Sequence, residues 1–174
     1  MGYEFEDVDW KSGLAEHDLL SDVSWALYRD SLLAGYYAGL LTGPPCETAS
    51  PSRAHRPGPP PLRSFTEFFG LKKLAPHLRE QVRKANILWD RALEACLIMY
   101  SLNKPFVLES PLPRTDCASI FQFPKAEQLA GLDGVWDVDF DQCMCGAQTV
   151  QAPHILVGLA ATPWTALQPP ASRL

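Results

Sequence analysis

The chain predicts an α/β domain, a mostly parallel sheet with flanking helices. Three observations point there. Apolar runs of strand length alternate with segments of helical period, several of those runs are almost continuously apolar, and polar or proline-rich loops separate them. With 174 residues, 47% of them hydrophobic, the chain is read as one domain over 1–174, long enough to bury a core.

The elements follow in order. A short strand is expected over 3–9, where apolar and acidic residues alternate from Tyr3 to Asp9. Ser21 or Asp22 caps a helix to about Leu33, whose Val23, Ala26, Leu27, Leu32 and Leu33 are roughly helically spaced. Gly35 stops it, and 36–42 reads as a buried strand. The proline-rich stretch 43–64 is too long for an ordinary connection in a compact domain and reads as an active-site loop. A long helix is expected over 73–102, with Pro76 in its first turn, where a missing N–H costs nothing. Its apolar side runs through Leu74, Leu78, Val82, Leu88, Leu93, Leu97 and Ile98. A strand at 105–109, a brief helix at 124–129 and strands at 135–140 and 154–159 complete the pattern, and 161–174 is expected to be a flexible tail. Trp25, Trp89 and Trp136 are expected in the core, with Phe68 and Phe69 packed on the long helix, Cys96 buried and Cys117 in a loop.

Bulk properties narrow the function classes. No run approaches the roughly 18 apolar residues of a membrane helix, so no membrane partner is expected. The acidic N-terminus has no signal-peptide pattern, and five cysteines without paired spacing suit a reducing interior. The expected location is intracellular, and nuclear if the source is eukaryotic. The net charge of −5 argues against nucleic acid, but it is unevenly spread. Segment 51–91 holds nine of the fifteen Lys and Arg against three acids, so it is +6 while the remainder is −11.

In parallel sheets, ligands bind beyond the carboxyl ends of the strands. Asp9, Cys46, Glu109 and Gln142 all fall at or just past expected strand ends. Cys46 is the most informative of them. It closes Gly43-Pro44-Pro45-Cys46, with rigid prolines before the thiol and a basic loop after it.

This constellation resembles the cytosine-5 DNA methyltransferases over about residues 3–160. The order is Gly43-Pro44-Pro45-Cys46, then Ser50 and the basic loop, then Glu109-Ser110-Pro111, then Gln142 and Gly146. Divergent methyltransferase-like domains of some retroelements and large gene families are similar too, through Pro-Pro-Cys and a stretch like Pro61-Leu62-Arg63-Ser64. The resemblance implies a Rossmann-like, S-adenosylmethionine-dependent methyltransferase fold acting on nucleic acid, DNA rather than RNA. Cys46 would add to C6 of cytosine and turn C5 into the nucleophile that takes the methyl group. Glu109 would supply a proton at N3, and the base would have to leave its stack. Arg53, Arg56, Arg63 and Gln142 would contact the nucleic acid. Asp9, Asp18 and Pro44 would contact the cofactor. No metal is expected, because Cys143, Cys145 and His154 lack the paired spacing of zinc sites.

The chain departs from the family pattern in places. The glycine-rich cofactor loop has no counterpart, so the domain is expected to be incomplete. Glu47 follows the cysteine where the family has Gln, and Ser110 follows the glutamate where it has Asn. The competing expectation is a catalytically inactive or truncated relative that binds nucleic acid through 51–91. An adenine-N6 enzyme fits less well, since Cys46 occupies its aromatic position and Gly43 its acid.

Overall fold

Pro76 opens the longest element of the fold. The computed structural model describes residues 4–8, 14–50, 53, 57–111, 117–139 and 153–158. Pro76 sits at the start of helix α2 (Pro76–Ser101), whose Val82, Ala85, Trp89, Leu93, Cys96 and Met99 are buried at the three- and four-residue spacing of one helical face. Helix α1 (Asp22–Leu33) is capped by Ser21, whose hydroxyl accepts the Ser24 N–H at 3.3 Å. It lies against α2, held by an Arg29–Glu94 pair at 2.8 Å and by Arg91, which reaches Asp22 and the Leu19 carbonyl.

Four strands form one sheet: β1 (Leu40–Thr42), β2 (Phe106–Pro111), β3 (Val135–Asp139) and β4 (Pro153–Gly158). Their order is β1-β2-β4-β3. Only β1 and β2 are parallel, joined by the α2 crossover; β2–β4 and β3–β4 are antiparallel. The expectation of a mostly parallel sheet is therefore corrected to a mixed one. The reason is β4, which inserts between β2 and β3 and runs antiparallel to both.

One sheet face carries Phe106, Leu108 and Leu156. It packs under α2, helix α3 (Pro124–Ala130) and the 3-10 turn Ile120–Gln122. Phe123 is the hub, with ring centroids 5.2 Å from Trp89, 5.8 Å from Phe68 and 4.6 Å from Phe69. The opposite face shows Leu41, Trp136 and Val138 to solvent among the described residues.

Three further expectations change. Residues 4–8 form no strand and are mostly exposed. The strand expected over 36–42 shrinks to three residues, because Tyr36 and Tyr37 stack edge-on at 5.1 Å, and Tyr37 also meets Tyr28. Trp89 is buried and Trp25 partly so, but Trp136 is 46% exposed. No helix among the described residues is long and apolar enough to cross a membrane. The expected tail over 161–174 lies outside the described residues.

Candidate active site

The parallel register of β1 and β2 sets Thr42 beside Leu108, so both strands end on the same edge of the sheet. Gly43 begins the loop there, and a β-carbon on it would stand 3.2 Å from Glu109 Oε2. The Gly43–Cys46 segment and the Glu109 carboxyl thus share one strand-end region, as the sequence leads one to expect. Backbone alternation sends Glu109 and Ser110 to opposite faces of β2, with Ser110 buried and Glu109 half-buried.

Cys46 opens a turn closed by the Ala49 N–H on the Cys46 carbonyl at 2.9 Å. Cys46 is half-buried beside a cleft lined by Cys46, Ala49, Ser110, Pro111, Cys117, Ala118 and Ser119. The cleft has room inside for about one water molecule. Ser110, a departure from the family pattern, and Cys117, expected as a loop residue, are both buried walls of this cleft. Ser119 has only a weak signal in the sequence: Ser119 and Gln122 form a reciprocal capping pair in a segment with no marked periodicity.

Burial pushes the Cys46 thiol above its ordinary range, and the nearby charges of Glu109 and Glu47 push the same way, against an opposing backbone hydrogen bond. Burial also raises the Glu109 carboxyl. At rest the site therefore holds a protonated thiol beside a carboxyl that keeps its proton to higher pH than usual.

The loop after Cys46 is fastened to α2. Trp89 Nε1 donates to the Pro45 carbonyl at 2.8 Å, and Gln81 Nε2 donates to Glu47 Oε1 at 3.2 Å. Arg63 is the main fastening. Its Nε donates to Thr48 Oγ1 at 3.0 Å, and one terminal nitrogen donates to both Phe68 O and Asn86 Oδ1 at 2.6 Å. The other reaches Val82 O at 3.5 Å, and the guanidinium lies 4.3 Å over the Trp89 ring. Arg63 is only 5% exposed. The phosphate contact expected of it is thus not the role its position gives it. Burial lowers its pKa to about 10, still far enough above neutral to keep the cation. Nothing in the local sequence signals this, since the partners lie 5 to 23 residues away.

Arg53 also braces the loop, donating to Glu47 O at 2.6 Å and Pro60 O at 3.1 Å. Asp18 is bound up locally, accepting the Leu20 N–H at 2.9 Å ahead of α1. Pro44 stands in the Gly43–Cys46 segment, half-buried. Asp9, Arg56 and Gln142 lie outside the described residues, as do Cys143 and Cys145. The interior of this cleft, about 10 Å³, is far below the roughly 300–1,000 Å³ of typical cofactor pockets.

A second polar cluster sits farther along the sheet. Asp137 and Asp139 project from one face of β3, two residues apart, and His154 stands opposite Asp139 on β4. His154 Nδ1 meets Asp139 Oδ1 at 2.5 Å and its Nε2 meets Asp137. Phe121 closes over the imidazole, with centroids 4.3 Å apart. Each ring nitrogen faces its own carboxylate, so the cluster ties β3 to β4. Its signal in the sequence is the Asp-x-Asp spacing within a strand, which puts both acids on one face.

Comparison with protein-family models, with curated proteins and with solved structures finds no match to the chain.

Proposed function

We propose that the chain is a cytosine-5 methyltransferase-like domain that acts on the pyrimidine ring of a nucleic acid, with Cys46 as nucleophile and Glu109 as proton donor. One observation carries the reading. Parallel pairing of β1 with β2 delivers a Gly-Pro-Pro-Cys loop and a carboxyl to one sheet edge, close enough that Gly43 has no room for a larger residue without moving Glu109. Mixed sheets with antiparallel strands are common variants of doubly wound folds, so the observed topology is compatible with this use.

The residue chemistry is coherent. Burial lets the Glu109 carboxyl hold a proton to higher pH than an exposed one, which suits donation to N3 of cytosine as the ring accepts a nucleophile. Where Glu109 takes up a proton, one of the charges that raise the Cys46 thiol is removed. S-Adenosylmethionine is the methyl donor that the family resemblance implies, and Asp9 and Pro44 are its proposed contacts.

The test needs no cofactor. Addition of a thiolate at C6 makes the C5 hydrogen of cytosine exchangeable with solvent. Release of tritium from an oligodeoxynucleotide carrying 5-tritiated cytosine should occur with the wild type and stop in Cys46→Ser. Glu109→Gln should slow it by roughly 10²-fold, the usual loss for a general acid. Release that persists in Cys46→Ser would end the thiolate mechanism.

A second reading rests on the exposure of Lys72, Lys73, Arg79, Arg83 and Lys84, which keeps part of the basic segment on the surface. A relative that only binds nucleic acid would use these, with Arg63 withdrawn into the fold. Salt-dependent binding without tritium release is its signature. Lys72→Ala with Lys73→Ala should then flatten the salt slope, by about 0.7–0.9 for each phosphate no longer neutralised.

A further inference from the structure

Two cysteines far apart in the chain meet at one small cleft. Cys46 follows β1 and Cys117 follows β2, and both line the cleft described above. Both are reduced thiols. The cleft's interior holds about one water molecule, so the residues on its walls stand around a single small space. The remaining described cysteine, Cys96, is fully buried in α2 and does not line the cleft.

We propose that Cys46 and Cys117 are a redox pair, joined by a peroxide into a disulfide that closes the cleft and withdraws the Cys46 thiol. The two differ in access, which orders the steps. Cys46 is half-buried and meets the oxidant; Cys117 is 8% exposed and acts second. Cys46 attacks one peroxide oxygen as its thiol proton passes to the departing oxygen, the O–O bond breaks, and a sulfenic acid and water result. The Cys117 thiolate then attacks that sulfur, the S–O bond breaks, and a second water leaves. Two thiols and one hydrogen peroxide give one disulfide and two waters. The inference rests only on the shared cleft and holds whether or not the chain acts on pyrimidines.

The consequence is mechanical as well as chemical. The disulfide ties the loop after β1 to the segment before the Ile120–Gln122 turn, on either side of the β2 end. Any ligand that needs the cleft is shut out until a thiol reductant reopens it.

The test is peptide mapping of the folded chain after one equivalent of hydrogen peroxide, with remaining thiols alkylated. Trypsin separates Cys46 in peptide 30–53 from Cys117 in peptide 115–125, and from peptides holding the other three cysteines. The expected result is a linked 30–53/115–125 species, with two of the five thiols per chain lost and both restored by a phosphine. In Cys117→Ser the link should vanish, and Cys46 should instead be trapped by dimedone as the sulfenic acid. Cys96→Ser should leave the link intact. Oxidation of wild-type Cys46 to the sulfinic acid without a link, or its pairing with Cys143 or Cys145, would overturn the proposal. The wild-type map decides the matter even if a variant folds poorly.

Discussion

Replacing Arg63 with Met tests whether that residue belongs to the fold or to a nucleic-acid surface. Methionine keeps an apolar stem of similar reach but removes the donors that meet Thr48, Phe68, Asn86 and Val82. Thr48 and Val82 are almost fully buried, so their acceptors are poorly placed to recruit water. Each hydrogen bond from a charged donor contributes about 1.5–3 kcal/mol, and the cation over Trp89 adds to that. Against this stands the desolvation of a buried guanidinium, several kcal/mol, which the variant no longer bears. The balance is a loss of about 3 kcal/mol, or a fall in Tm of about 6–12 °C for a chain of this size. Arg63→Lys should lose nearly as much, since one ammonium cannot reproduce a planar fork stacked on indole. Thermal unfolding followed by far-ultraviolet circular dichroism, with urea titration for ΔG, reads both. A variant within 1 kcal/mol of wild type would refute the reasoning. So would a stable variant whose oligonucleotide binding fell by about one unit of salt slope, the mark of one phosphate left without its cation.

Three other outcomes are expected. Gly43→Ala should keep the fold within about 1 kcal/mol while slowing tritium release, because the new methyl, 3.2 Å from Glu109 Oε2, displaces the carboxyl; an unchanged rate would separate Glu109 from the chemistry. Glu109→Gln bears on pH: the folded-state carboxyl is raised, so its contribution is intact below about pH 4.5 and is lost as pH rises through the folded value. The Gln variant should accordingly match wild type near pH 4 and melt higher by pH 7, with its Cys46 alkylated a few-fold faster; a lower Tm at pH 7 contradicts the sign. Trp89→Phe retains the ring but loses the bond to the Pro45 carbonyl, so it should cost about 1–2 kcal/mol and increase proteolysis within 43–64; unchanged cleavage there would mean that the indole bond does not hold the loop.

The parts of this fold that local sequence can announce are legible. Ser21 and Pro76 set the starts of α1 and α2, and the spacing of Val82, Leu93 and Ile98 marks the buried face of α2. The pairing of Cys46 with Glu109 at adjacent strand ends follows from one assumption, that β1 and β2 are parallel, and that assumption holds. Strand direction beyond them is not legible. The apolar run 155–157 reads the same whichever way the strand runs. Arg63 misleads for a related reason. A Pro-Leu-Arg-Ser stretch in a proline-rich loop reads as solvated until Asn86 and Trp89, a helix away, fold onto it.

The strand order also sets a timetable for synthesis. Among the described strands, β3 pairs only with β4, and β4 is the last of them to leave the ribosome. Until it emerges, β2 carries an open antiparallel edge and β3 an unsatisfied backbone, both templates for association with other nascent chains. Helices α1, α2 and α3 and the β1–β2 pair can be in place by then, since domains form as their segments are made. The sheet closes like a drawer, with the final strand sliding between two that are already waiting. A stop codon anywhere before Pro153 would therefore leave a chain with its helices formed and its sheet open, prone to aggregate rather than to persist as a smaller stable domain.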